Sequence, residues 1–230
     1  MLKRLRTAHP ILYCILAEVL FLGSLFLSSL VLTVALVAAG ADFSGLDEYL
    51  LSLVQELVGA GAAWLLLRRR GSGFWNGLLV GMYPLAFICY SIYSALIFER
   101  PDTPLLPAGR ILSFLACMAM VGVAEEFLFR GVIAETLLEH FGTSRAGVWK
   151  ACLLSGLYFG AAHLTNLTGS APLGVLMQCV FAASLGTLFA AIYFRTGNLW
   201  VTVFLHGAMD IASMLIGGLY GTTTLSESVS

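Results

Sequence analysis

The chain has 230 residues, 59% hydrophobic and 11% charged, with a formal net charge of −1 and a mean hydropathy of +0.92. Soluble domains are about half apolar and a quarter charged, so these figures exclude both a water-soluble globule and a disordered chain. The near-neutral balance also lacks the basic field that a nucleic-acid binder needs.

An all-α integral membrane protein is the expectation, with room for about seven spans of roughly 20 residues each. Ile11 to Ala38 is one apolar stretch broken only by Glu18 and preceded by Lys3, Arg4 and Arg6. It is far longer than the roughly 7–15 residues of a signal-peptide core, so it reads as an uncleaved first helix despite the small residues Ala39-Gly40-Ala41 behind it. Leu46 to Leu67 is a second span, carrying Gln55 and Glu56 and stopping at Arg68-Arg69-Arg70; Phe74 to Phe98 is an uncharged third. Pro101, Pro104 and Pro107 make Glu99 to Arg110 a loop.

Apolar sequence resumes at Ile111 and continues to about Phe141, a long fourth helix interrupted by Glu125, Glu126 and Arg130. Gly147 to His163, Pro172 to Phe194 and Leu199 to Tyr220 are read as the fifth, sixth and seventh helices. Gly156 and Gly160 form a small-xxx-small pair on the fifth and read as a tight packing face. The chain is thus a single membrane domain over 1–230: three spans and a loop over 1–110, a core over 111–220 and a polar tail over 221–230. The five cysteines stand singly in apolar runs, with no ligand spacing, and read as core filler. With the N-terminus cytoplasmic, nine Lys and Arg residues fall inside and only Arg100 and Arg110 outside, which orients the bundle.

A charge near the bilayer centre costs at least about 2.5–3.5 kcal/mol, so it persists only when paired or lining a wet cavity. Glu125, Glu126 and Arg130 place three such charges within six positions. Glu126 and Arg130, four apart, share a helix face, while Glu125 points about 100° away. His163 stands one turn after Phe159, and His206 one turn before Asp210. Carboxylates and imidazoles converging in a polar intramembrane cavity are what activation of a water needs. A structural ion-pair network, a non-catalytic scaffold or immunity protein, and an ion-conducting transporter are the competing readings of the same residues. Glu18, Gln55 and Glu56 read as snorkelling, interhelical or subunit-contact groups.

Three segments carry a family resemblance. Glu125-Glu126-Phe127-Leu128-Phe129-Arg130 resembles the EExxxR motif of the CPBP family, which comprises type II CAAX prenyl endopeptidases and bacteriocin-processing or self-immunity proteins. Phe159 to His163 resembles its FxxxH motif, and His206 to Asp210 its HxxxN/D motif. The resemblance implies a glutamate-dependent intramembrane endopeptidase. Glu125 would take a proton from water that His163 helps to hold, and His206 and Asp210 would stabilise the oxyanion. Glu126, Arg130 and Phe159 would support the site.

Asp210 departs from the frequent Asn, which donates hydrogen bonds where an ionised Asp cannot. Either Asp210 is protonated or, the favoured reading, it is an acceptor that orients His206 and leaves His206 alone as the donor. No cofactor is expected. The alternative is a zinc ion held by Glu125, His163, His206 and Asp210, although the HExxH spacing is missing. The expected partners are membrane lipids and a membrane-embedded, prenylated or C-terminally tagged protein substrate, with no nucleic acid, and the expected location is a bacterial inner membrane.

Overall fold

A computed structural model describes residues 2–67 and 73–223. Among these all the regular secondary structure is helical. A short α1 (Leu2–Ala8) leads into α2 (Pro10–Ala38), with Pro10 at the first turn, where its missing N–H costs nothing. Next comes α3 (Glu48–Leu66), capped by Asp47, whose carboxylate accepts from the N–H groups of Tyr49 and Leu50. The Arg68–Arg70 run, which the positive-inside count uses, lies outside the described residues.

The third apolar run is not one helix. It divides into α4 (Phe74–Val80) and α5 (Met82–Ser94), with a π-turn over Ala95–Glu99. Pro84 has no N–H to return to the carbonyl of Val80, and Gly81 takes the bend. The seventh divides too, into α10 (Leu199–Ser213) and α11 (Leu215–Tyr220), numbered after the elements between. Those are α6 (Ala108–Leu128), a π-helical segment (Phe129–Ala134), α7 (Glu135–Phe141), α8 (Arg145–Ala162), a 3₁₀ segment (His163–Thr168) and α9 (Pro172–Thr196).

Five helical stretches are long and apolar enough to cross a membrane: Pro10–Ala38, Glu48–Leu66, Met82–Glu99, Ala108–Phe141 and Pro172–Thr196. Of the seven expected spans, the fifth (α8) is not among them, and α10 is apolar but shorter. Large apolar side chains line the outside of these helices, Phe26, Leu65, Phe98 and Leu173 among them, as lipid-facing surfaces require.

Two close crossings set the core. A Cβ on Gly122 of α6 would stand 2.8 Å from the backbone nitrogen of Gly207 and 2.9 Å from the carbonyl of Val203 on α10. Only glycine lets these backbones approach so nearly, and the approach carries the α6 carboxylates to the α10 histidine. On the other side, Gly156 and Gly160 of α8 meet the backbone of α9 at Ala183 and Cys179, as the small-residue pair leads one to expect. Along the remaining flank of α6 lies α3. Arg110 pairs with Asp47 at 3.3 Å, Ser113 donates to the same carboxylate, Tyr49 packs edge-on against Phe114, and Trp64 meets Phe127. The matching order of these contacts makes α3 and α6 run parallel.

Candidate active site

The long fourth helix changes its winding just after the charged cluster. From Phe129 to Ala134 it is π-helical, an irregularity often found at functional sites. The hydroxyl of Ser155 on α8 donates to the carbonyl of Phe129 at 3.1 Å, tying the start of this segment to α8. Arg130 is the second residue of this segment and is fully buried, as is Glu126. Its Nη1 lies 2.7 Å from Glu126 Oε1, and its Nη2 donates to the carbonyl of Gly186 at 3.2 Å. The guanidinium also stacks over Phe159, 4.7 Å from the ring centroid, and stands 5.4 Å from that of Phe189. A buried cation thus has a carboxylate, a carbonyl and two aromatic faces.

Glu126 has a second partner. His206 Nδ1 lies 2.8 Å from Glu126 Oε1. A carboxylate already facing a guanidinium accepts, so Nδ1 carries the proton and Nε2 is turned toward the cleft. There Glu125 Oε2 stands 3.4 Å from Nε2 and Asp210 Oδ2 3.7 Å from it. The sequence reading has Asp210 holding the imidazole from one turn away. The structure gives that position to Glu126, eighty residues distant in the chain, and sets Asp210 on the reactive nitrogen's side.

The neighbouring glutamates are sharply divided. The side chain of Glu126 is 0% exposed and that of Glu125 24% exposed. Glu125 opens into a cleft of about 640 Å³ that His163, His206 and Asp210 also line. The walls are largely apolar, with Phe21, Phe87 and Phe181 contributed by α2, α5 and α9. His163 sits where α8 tightens into the 3₁₀ segment. Its Nδ1 donates to the carbonyl of Phe159 at 2.9 Å, since a carbonyl only accepts, and Nε2 is left as an acceptor. The Phe159 ring is edge-on to both imidazoles, 5.1 Å from His163 and 5.5 Å from His206. One aromatic side chain therefore spaces the two histidines and covers the arginine.

All seven residues singled out from the sequence are thus gathered at one cleft and its supporting wall. The zinc alternative finds its four ligands along that cleft, but among the described residues no three His, Cys, Asp or Glu side chains converge as a metal site. Glu56 is the residue that the sequence reading left among the packing groups. It lines the same cleft from α3, and its Oε2 is buried without a hydrogen-bond partner. Its position inside an apolar run was the available signal. The pairing of α3 with α6 that brings it here is not visible in spacing.

Residues 107–212 match the family described as type II CAAX prenyl endopeptidase Rce1-like. This bears out the resemblance carried by the three motifs, all of which lie within the match. Five apolar helices of spanning length, together with that match to a membrane protease family, mark an integral membrane protein. Comparisons with curated proteins and with solved structures give no match.

Proposed function

We propose that the protein is an intramembrane endopeptidase that hydrolyses a peptide bond with a water activated by Glu125. The observation that carries this reading is the arrangement around His206: fixed through Nδ1 by the buried Glu126–Arg130 pair, it presents Nε2 beside a partly exposed glutamate in a cleft. A transport pathway or a packing network needs no such division between an anchored and an open carboxylate. Catalysis does, because an orienting group must stay fixed while a base reaches substrate.

In this reading a water lies between Glu125 and Nε2 of His163. Glu125 takes a proton as the water oxygen attacks the scissile carbonyl. The developing oxyanion receives a hydrogen bond from a second ring proton, on His206 Nε2, which faces Glu125 and Asp210 before substrate arrives. A donor of this kind contributes about 10²–10³ in rate. Arg130 and Phe159 keep the imidazoles at their spacing. The route uses no metal, and cleavage persists in the presence of a chelator.

The substrate in this proposal is a protein segment held in or anchored to the membrane, a prenylated or otherwise tagged C-terminus being the class that the matched family points to. We further place the N-terminus in the cytoplasm, with α8 and α10 completing seven crossings of a bacterial inner membrane. The test is a comparison of protein termini in membranes of cells expressing wild type or Glu125→Ala at matched levels. Termini that appear only with wild type support the proposal, and the residues around the cuts name the substrate. Identical sets of termini would replace it with a scaffold role.

A further inference from the structure

The parallel pairing of α3 with α6 fixes the height of Glu56. Asp47 and Arg110, and likewise Trp64 and Phe127, are separated by 63 positions, and Tyr49 and Phe114 by 65. Glu56 therefore stands level with Ala119 to Val121. The cleft face of α6 is the stripe Cys117, Val121, Glu125, and that of α3 is Ser52 and Glu56, each at the four-residue helical repeat. Glu56 is thus between one and two turns, roughly 6–9 Å, from Glu125 along the axis. It enters from the α3 flank of α6, whereas His206 and Asp210 enter from the α10 flank.

The groups facing Glu56 are Glu125 and Cys117 on α6 and His206 and Asp210 on α10. Three carboxyls and one imidazole accordingly line one cleft between apolar walls. A full charge on Glu56 facing two other carboxyls between apolar walls would be repelled, which favours a proton on Glu56. Oε2 of Glu56 and Oδ2 of Asp210 are both buried without hydrogen-bond partners. Asp210 has His206 nearby at 3.7 Å, whereas Glu56 has an unmade hydrogen bond and faces the space a substrate fills. A buried polar atom of this kind is costly unless something completes it.

Peptide geometry indicates what does so. In a trans peptide the carbonyl oxygen and the N–H point in opposite directions. A substrate whose oxygen turns to the α10 flank, where His206 stands, turns its N–H edge to the α3 flank, and once the carbonyl carbon is tetrahedral that nitrogen is pyramidal, with a lone pair that a donor on this flank can reach. Resting on the endopeptidase reading above, we propose that Glu56 is the proton donor to the leaving nitrogen of the scissile peptide. Glu125 accepts a proton as the water's oxygen bonds to the carbonyl carbon. When the carbon–nitrogen bond breaks, its electron pair goes to nitrogen, which takes the proton that Glu56 carries. The proton on Glu125 then returns to Glu56, and the cluster is restored with no net gain or loss.

The test uses the full chain in membranes, with wild type, Glu56→Gln, Glu56→Asp and Glu125→Ala at matched levels, and follows the rate at which the wild-type-dependent termini accumulate. Glu56→Gln keeps the shape of the side chain but carries no transferable proton, and is expected to slow their appearance about 100-fold or more. Glu56→Asp restores at least about a tenth of the wild-type rate, which a merely space-filling role would not require. Infrared spectra of the purified proteins in liposomes give a readout independent of substrate: a protonated-carboxyl band present in wild type is lost in Glu56→Gln. If Glu56→Gln matches wild type in rate, or keeps the band, while Glu125→Ala is inactive, the proton-donor role is overturned and the endopeptidase reading stands. If Glu125→Ala itself produces the termini, both fall.

Discussion

His206 and Glu126 are eighty residues apart in the chain and 2.8 Å apart in the fold, Nδ1 to Oε1. Because the same carboxylate oxygen is 2.7 Å from Arg130 Nη1, the imidazole is tied to a buried ion pair rather than to a mobile side chain. Two adjacent glutamates consequently do different work, one inside the protein wall and one in the cleft.

That division predicts opposite behaviour for Glu125→Ala and Glu126→Ala. Removing the partly exposed Glu125 leaves no buried charge unpaired, so the protein accumulates and melts close to wild type but forms none of the wild-type termini. Removing Glu126 strands Arg130 in the interior at a cost of about 3–5 kcal/mol, and both stability and activity fall. Thermal melts in detergent beside the termini assay separate the two cases. Equal destabilisation by both substitutions would contradict the division.

Arg130 is the other half of the same argument. Arg130→Lys keeps the charge but loses the planar group that donates to Gly186 and stacks on Phe159. The expected result is a folded protein of reduced stability whose cleavage rate drops at least about tenfold, because Phe159 also spaces the two histidines. Arg130→Met is the harsher change, leaving Glu126 unpaired. Adding Glu126→Gln to it should recover part of the lost stability, but not activity. A double variant no more stable than Arg130→Met alone would show that the pair is not what holds this wall.

Much of this arrangement was legible in the sequence, and the reasons are physical. Apolar runs of spanning length mark helices whatever they pack against, and ionised side chains inside them stand out because the bilayer makes them expensive. Glu125, Glu126, Arg130, His163, His206 and Asp210 are visible on that ground alone. Spacing along one helix also reveals the Glu126–Arg130 pair, since four residues complete a turn. What spacing cannot give is contact between helices. The hold of Glu126 on His206 depends on α6 crossing α10 at Gly122 and Gly207, and the entry of Glu56 depends on the register of α3 against α6. The breaks at Gly81 and Met214 are hidden for a related reason: hydropathy stays high through both, and only the missing N–H of Pro84 signals the first.

Asp210 follows from the same geometry. Since Glu126 fixes the tautomer of His206, Asp210 is free of that duty, and its carboxylate is needed only as a polar group beside Nε2 at 3.7 Å. Asp210→Asn is therefore expected to keep cleavage within about tenfold of wild type, and Asp210→Ala to lose about 100-fold, in the range of a missing oxyanion-side group. Rates of terminus formation decide between them. Complete loss in Asp210→Asn would return to Asp210 an essential negative charge.

The Gly122–Gly207 crossing turns these contacts into a question of fractions of an ångström. A Cβ at position 122 would meet backbone atoms of α10 at 2.8 and 2.9 Å, and backbone cannot swing aside as a side chain does. The helices must separate, which costs about 1–3 kcal/mol as overpacking. Separation lengthens the 2.8 Å link between His206 and Glu126 and carries Nε2 away from Glu125. Misplacement of a reacting group by about 1 Å costs on the order of 100-fold in rate. Gly122→Ala should accordingly lose activity far beyond what its modest destabilisation explains. Gly61→Ala on α3, where an added Cβ meets nothing within 4 Å, is the matched control and should be neutral or slightly stabilising. Melting temperatures and cleavage rates of the two variants, measured side by side, check this. If Gly122→Ala cleaves at the wild-type rate, the approach of α6 to α10 does not set the catalytic distance.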